Sequence, residues 1–208
     1  MVAHSNDLRE VSHGAADGKV RQRSLHELRA DAPQVPTLEE ALTFFVSEAP
    51  STGVHVDLKT AGHEVELVEA LRRLELVGRT FVSSFLRAPL RSLARLEPGL
   101  RLGISFPRDR AGISTRPLLS PLARAGLATL RTVSPAVGRV RLDRSGATTL
   151  VLHHALVTPG SVASAHRRGA PVVSWTVDYP GELRRVSHAG VDAVVTNDPV
   201  TALATLAP

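Results

Sequence analysis

An α/β fold built on a parallel sheet is the expectation for this chain of 208 residues, and two features carry it. Short runs of β-branched and aliphatic residues, bounded by Gly, Pro or polar clusters, recur along the sequence as buried strands do. Stretches with helical spacing lie between them, and strands that alternate with helices call for parallel pairing.

In chain order, Pro36-Thr37-Leu38-Glu39-Glu40 opens a helix, because Thr37 and Glu40 stand at capping-box spacing ahead of an acidic first turn. The first strand is expected at 54–59 and a helix follows on Leu67, Leu71 and Leu74. A second strand at 80–85 leads to a helix on Leu90, Leu93 and Leu96, and a third strand lies at 101–106. The next stretch, 107–146, is long for a connection and carries Arg116, Arg124, Arg131 and Arg139 among leucines. It reads either as a basic amphipathic segment that lies on an anionic membrane surface or as an outer helix with solvated arginines. Pro117, Pro121 and Pro135 are expected to break any long helix there. A fourth strand at 149–154 is followed by Thr158-Pro159, where proline suits a helix's first turn. His166-Arg167-Arg168-Gly169 and Ser187-His188-Ala189-Gly190 place basic residues and a glycine at helix ends. They frame a fifth strand at 172–177 and a helix on Leu183 and Val186, and a sixth strand comes at 193–197. One domain over 1–208 is expected, with no linker and no repeat.

Composition narrows the function. The absence of cysteine excludes disulfide scaffolds, iron–sulfur sites and cysteine nucleophiles. With 43% hydrophobic residues, 22% charged residues and a mean hydropathy of +0.02, the chain is a globular protein without an apolar run near the roughly 20 residues that span a bilayer. The pI near 10.8 follows from arginine, since Lys19 and Lys59 are the only lysines among 25 basic residues, and the net charge is only +5. Scattered arginine with 3% aromatic residues does not make the basic, aromatic-interleaved stripe of a nucleic-acid binder. The start Met1-Val2-Ala3-His4 has no signal-peptide pattern, so a cytoplasmic location is expected.

Polar or aromatic residues recur at the carboxyl ends of the expected strands: Asp57 and Lys59, Ser84 and Phe85, His153 and His154, Trp175 and Asp178, Asn197 and Asp198. In a β/α barrel those ends carry the active site. The competing reading is that loops are polar and these residues merely begin them. It applies least to Asp57 and Lys59, whose spacing puts both on one face. His153 and His154 are consecutive, so one faces the pocket and the other the helix layer, and His154 is taken as a candidate substrate contact. Asp7, Arg9 and His13 are read as a solvated loop in preference to a contact with the substrate, Gly14 to Gly18 as a turn, and His26, His55, His63 and His188 as surface or helix-face residues.

These motifs resemble the glycerophosphodiester phosphodiesterase family. Val35-Pro36-Thr37-Leu38-Glu39-Glu40-Ala41-Leu42 is similar to the family's helix opening, Asp57-Leu58-Lys59 to its Glu-Ile-Lys strand, and Val82-Ser83-Ser84-Phe85 to its Ser-Ser-Phe strand. The closing stretch is the strongest likeness: Pro171-Val172-Val173-Ser174-Trp175-Thr176-Val177-Asp178 resembles the Trp-Thr-Val-Asn strand, and Ala189-Gly190-Val191-Asp192-Ala193-Val194-Val195-Thr196-Asn197-Asp198-Pro199 resembles the Gly-Val-Asp-Gly-Ile-Ile-Thr-Asp strand. His4-Ser5-Asn6-Asp7-Leu8-Arg9 resembles the family's His-Asp segment, which opens a small insertion over about 5–30.

The resemblance implies a TIM-type (β/α)8 barrel of the PLC-like phosphodiesterase kind, lacking the first strand and most of the second. The family's His-Arg-Gly and Glu-x-Asp strands have no counterpart, and Ala165-His166-Arg167-Arg168-Gly169 is a helix end rather than a replacement. It further implies hydrolysis of a glycerophosphodiester to an alcohol and sn-glycerol 3-phosphate, in lipid metabolism. Asp57 would be a ligand to Ca²⁺ or Mg²⁺, Lys59 would stabilise developing phosphate charge, and His4 would be one acid/base residue. Phe85, His154 and Trp175 would bind substrate. With one carboxylate and one of two histidines, activity of the chain as numbered is expected to be very weak or absent. Either translation starts upstream or this is an inactive relative that binds phosphodiesters or a partner.

Overall fold

A computed structural model describes residues 2–107 and 120–207, with backbone alone for 120–125, 127 and 128. The chain divides into two compact units, residues 1–54 with 66–79 and residues 55–65 with 80–208.

The first unit contains helices α1 (Leu8–Val11), α2 (Leu25–Asp31), α3 (Leu38–Ser47) and most of α4 (Glu64–Arg73). Its helix starts are written in the sequence. The expected box at α3 is present, with Thr37 Oγ1 accepting from Glu40 N and the Glu40 carboxylate accepting from Thr37 N at 2.7 Å. Ser24 and Glu27 repeat that arrangement at α2. In both cases two backbone donors without helical partners are satisfied reciprocally, worth about 1 kcal/mol per cap. The Arg79 guanidinium fastens the end of this unit by donating to the carbonyls of Phe45, Ala49, Pro50 and Thr52 at 2.7–2.9 Å.

The second unit is built on a parallel sheet with six strands among the described residues, each beside its neighbour in sequence: β1 (Val54–Asp57), β2 (Thr80–Ser84), β3 (Arg101–Phe106), β4 (Thr149–His153), β5 (Val172–Trp175) and β6 (Ala193–Val194). Helices α5 (Arg87–Leu96), α6 (Ser120–Ser145), α7 (Pro159–His166), α8 (Pro180–His188) and α9 (Pro199–Leu206) complete the β-α alternation. This singly wound order is that of a β/α barrel wall. Several strands end one to three residues before the expected limits, because their last residues turn into the loops. Pairing still runs on, as Leu58 N donates to Ser83 O at 2.8 Å and Val195 N to Ser174 O at 2.7 Å.

Register divides the sheet into two faces. Ser83 is opposite Gly103, Gly103 opposite Thr149, Val151 opposite Val173, and His153 opposite Trp175. Side chains alternate, so Phe81, Ser83, Gly103, Ser105, Val151, His153 and Trp175 share one face. Val82, Leu102, Ile104, Phe106, Leu150, Leu152 and Val172 share the other, and all seven are buried. Helices cover that second face: the Arg141 guanidinium of α6 lies 4.7 Å from the centre of the Phe106 ring. A Cβ at Gly138 of α6 would lie 3.0 Å from Leu150, so this helix approaches β4 closely.

The expectation that prolines break the 107–146 stretch is corrected: α6 runs unbroken from Ser120 to Ser145 with Pro135 inside it. Pro121 falls in the first turn, where no amide donor is needed. Pro135 leaves the Arg131 carbonyl without its usual partner, and Ser134 Oγ donates to that carbonyl instead at 3.0 Å. Arg116, Pro117, Leu118 and Leu119 lie outside the described residues. Among the described residues, no helix is long and apolar enough to cross a membrane.

Gly103 sits where that face leaves no room for a side chain, because a Cβ there would come within 2.5 Å of the Phe81 ring and 2.6 Å of Val151 Cγ2. Overpacking of this kind costs about 1–3 kcal/mol. Gly103→Ala is therefore expected to lower stability by that amount in urea unfolding, and an unchanged midpoint would contradict this packing.

Candidate active site at the carboxyl ends of the strands

The alternation that puts Phe81 and Gly103 on one face carries the chemistry to its carboxyl end. Asp57 and Lys59 lie there beyond β1, both partly exposed, with Lys59 Nζ donating to Asp57 Oδ2 at 2.5 Å. Ser84 sets their neighbourhood, since its buried hydroxyl donates to Leu58 O at 2.6 Å and accepts from Leu86 N at 3.1 Å. One side chain thus ties the turn before Lys59 to the segment that carries Phe85. Ser83 points to the opposite side and meets His55 Nε2 at 2.9 Å. His26, His63 and His188 are exposed, whereas the His55 ring lies 4.8 Å from that of Phe81, and burial lowers its pKa.

Phe85 and Trp175 meet edge to face, with ring centres 5.6 Å apart, and His153 meets the indole in the same manner at 4.9 Å. These perpendicular contacts are the favoured aromatic arrangement. His153 Nδ1 accepts from Ala155 N at 3.2 Å, so the neutral ring carries its proton on Nε2. Burial, aided by the neighbouring His154, pushes the His153 imidazole down to about 4, and it is neutral at physiological pH. Two arginines pin the turn after β4. Arg131 Nε donates to Ala155 O at 2.5 Å, and Arg185 donates to His154 O and Val157 O at 2.8 and 3.0 Å.

His153, not His154, therefore lies on the face that carries Trp175. His154 turns towards α8, where its Nδ1 is 3.2 Å from Glu182 Oε1, near enough for an ion pair when protonated but out of line for a hydrogen bond. Burial lowers its pKa, against the opposing pull of Glu182. Strand alternation extended from Trp175 across the β4–β5 pairing would have selected His153, but that requires the register.

The remaining strand-end polar residues bond to one another and to the backbone. The Asp178 carboxylate accepts from Asn197 N at 2.8 Å, Asn197 Nδ2 at 3.0 Å and Thr196 Oγ1 at 3.1 Å, which joins the end of β5 to the end of β6. The Asn197 backbone hydrogen bond is the main reason that its pKa is lowered. Asp198 caps α9 by accepting from Thr201 N at 3.0 Å.

His4 belongs to the first unit, where its Nδ1 is 3.6 Å from Glu10 Oε1 and its side chain is 90% exposed. Among the described residues, no three His, Asp or Glu side chains cluster as a metal site requires. Ca²⁺ takes six to eight oxygens and Mg²⁺ six, whereas the β1 end offers the single carboxylate of Asp57, already bonded to Lys59. These side chains alone do not fit a divalent cation.

The model of the glycerophosphoryl diester phosphodiesterase family matches residues 1–201. A glycerophosphodiester phosphodiesterase of Caldanaerobacter subterraneus subsp. tengcongensis is 24% identical over 217 residues, covering 97% of this chain and 77% of that protein. Two solved structures share the fold at a TM-score of 0.71. One is a glycerophosphodiester phosphodiesterase from Parabacteroides distasonis, at 21% identity over 98% of this chain and 76% of that one. The other is an Oleispira antarctica phosphodiesterase in complex with the product sn-glycerol-3-phosphate, at 19% identity over 98% and 77%. Matched along nearly its whole length, the chain belongs to the glycerophosphoryl diester phosphodiesterase family, whose members are phosphoric diester hydrolases.

Proposed function

We propose that this chain hydrolyses glycerophosphodiesters to an alcohol and sn-glycerol 3-phosphate, as a cytoplasmic step in glycerophospholipid turnover. The observation that carries the reading is the wall formed by Phe85 and Trp175 at the same strand ends as Lys59, the only lysine in the second unit. The aromatic faces suit the apolar edge of a glycerol carbon chain, and the ammonium suits a phosphate. In the reaction, water adds to phosphorus and the bond to the alcohol oxygen breaks. Lys59 exchanges its Asp57 partner for a phosphoryl oxygen and neutralises charge as it grows, while His4 is proposed to return a proton to the leaving alkoxide. His154 is proposed as an outer contact to the alcohol portion.

Enzymes of this family are generally dependent on a divalent cation. Asp57 is proposed to contribute to holding Ca²⁺ or Mg²⁺, but one carboxylate does not make that site, so no step is routed through the ion. This shortfall favours a second reading, in which the chain binds phosphodiesters without cleaving them. Contact with anionic membrane is also proposed, supported by Arg87, Arg91 and Arg95, which form one exposed stripe on α5.

Choline release from glycerophosphocholine, measured with Ca²⁺, Mg²⁺ or chelator, separates the readings. Hydrolysis is expected to be slow, to stop with chelator, and to fall about a hundredfold or more in Lys59→Met. Binding of the substrate without turnover under any cation would establish the second reading.

A further inference from the structure

The end of β5 holds an unsatisfied donor. Trp175 Nε1 is buried and meets no hydrogen-bond acceptor among the described residues. Buried N–H groups are almost always paired, so an orphan at the carboxyl end of a strand calls for a partner beyond the described residues. Directly opposite it in the β4–β5 register stands His153, whose Nδ1 is occupied by Ala155 N. The proton is thereby placed on Nε2, for which no bond is formed among the described residues. Two N–H donors thus stand at paired positions on neighbouring strands about 4.8 Å apart, with their rings perpendicular and in contact.

We infer that His153 Nε2–H and Trp175 Nε1–H form a neutral donor pair for the hydroxyl oxygens of the substrate's glycerol moiety. The inference rests on the proposed function and deepens it by assigning glycerol recognition to a residue pair. Three observations select hydroxyls over phosphate. Both donors are uncharged, since burial keeps the His153 ring neutral at any pH well above about 4. The arginines beside β4 are already engaged, Arg131 by the Ala155 carbonyl and Arg185 by the carbonyls of His154 and Val157, and Lys59 follows β1, at the other edge of the strand order. Phe85 also meets the Trp175 ring, and it brings an apolar surface with no polar group. A vicinal diol can place its oxygens before the two donors and its carbons against the aromatic wall.

Trp175 is the chain's only tryptophan, so its fluorescence reports ligand at this position directly. Wild type, His153→Ala, His153→Gln and Lys59→Met would be titrated at pH 7.5 with sn-glycerol 3-phosphate, 3-hydroxypropyl phosphate, which lacks the middle hydroxyl, and inorganic phosphate. Wild type is expected to bind sn-glycerol 3-phosphate about tenfold more tightly than the deoxy compound, the size of one neutral hydrogen bond. His153→Ala should abolish that difference while leaving the affinity for inorganic phosphate unchanged. His153→Gln, which retains an N–H donor, should restore most of it. The inference is overturned if wild type does not distinguish the two organic phosphates, or if His153→Ala weakens all three ligands alike. Failure of the broader reading shows differently: wild type then binds none of the phosphates, or Lys59→Met leaves all of them unaffected. The wild-type comparison of ligands stands even if His153→Ala does not fold.

Discussion

Parallel pairing in a fixed register is the constraint on which the second unit depends. Strand side chains alternate with a period of two, so a slip of one residue in any strand would exchange its two faces. With Ser83 opposite Gly103 and His153 opposite Trp175, the aliphatic residues Leu102, Ile104, Leu150, Leu152 and Val172 all meet the helices. The same parity leaves Phe81, Val151, His153 and Trp175 on the other side. Burial of the aliphatic face, at roughly 25 cal/mol per Å² of apolar surface, is thus what holds the site residues in place. Gly103 belongs to this logic, because the space that its side chain would fill is taken by the Phe81 ring.

Beyond the strands, a few polar side chains carry the order into the loops. Ser84 joins the end of β1 to the segment bearing Phe85, Asp178 joins the ends of β5 and β6, and Arg131 and Arg185 hold the turn after β4. Each satisfies backbone groups that leave the ladder, and such groups are costly when left unpaired. The consequence is a fastened rim: the backbone next to Phe85, His153 and Trp175, whose rings meet at perpendicular contacts, is held by side-chain hydrogen bonds.

Local signals in the sequence were the most legible. The Thr37–Glu40 box, the first-turn proline at Pro159 and the terminal glycines Gly169 and Gly190, both at positive φ, appear where the spacing places them. So do the six strand cores and the family motifs. What escaped depends on distant partners. Two adjacent histidines are equivalent in sequence, and only the pairing of β4 with β5 separates His153 from His154. Pro135 reads as a breaker because its cost is local, while its relief comes from Ser134 and from the packing of α6 on β4. Asp178 and Asn197 look like pocket residues until each is seen to satisfy the other.

The electrostatics of the rim give the site its character. The Asp57–Lys59 pair is open to solvent and easily exchanged, as exposed ion pairs contribute little. A phosphate can therefore displace Asp57 from Lys59 at small cost. The aromatic group, by contrast, is preformed and neutral. One sheet face, at the carboxyl ends of its strands, is proposed to receive a glycerol phosphate between these two parts. A crystal structure of the chain grown with saturating sn-glycerol 3-phosphate tests it most directly. Density with its phosphate against Lys59 Nζ and its glycerol between Phe85 and Trp175 is the predicted result; a ligand bound elsewhere, with that face holding only solvent, would contradict it.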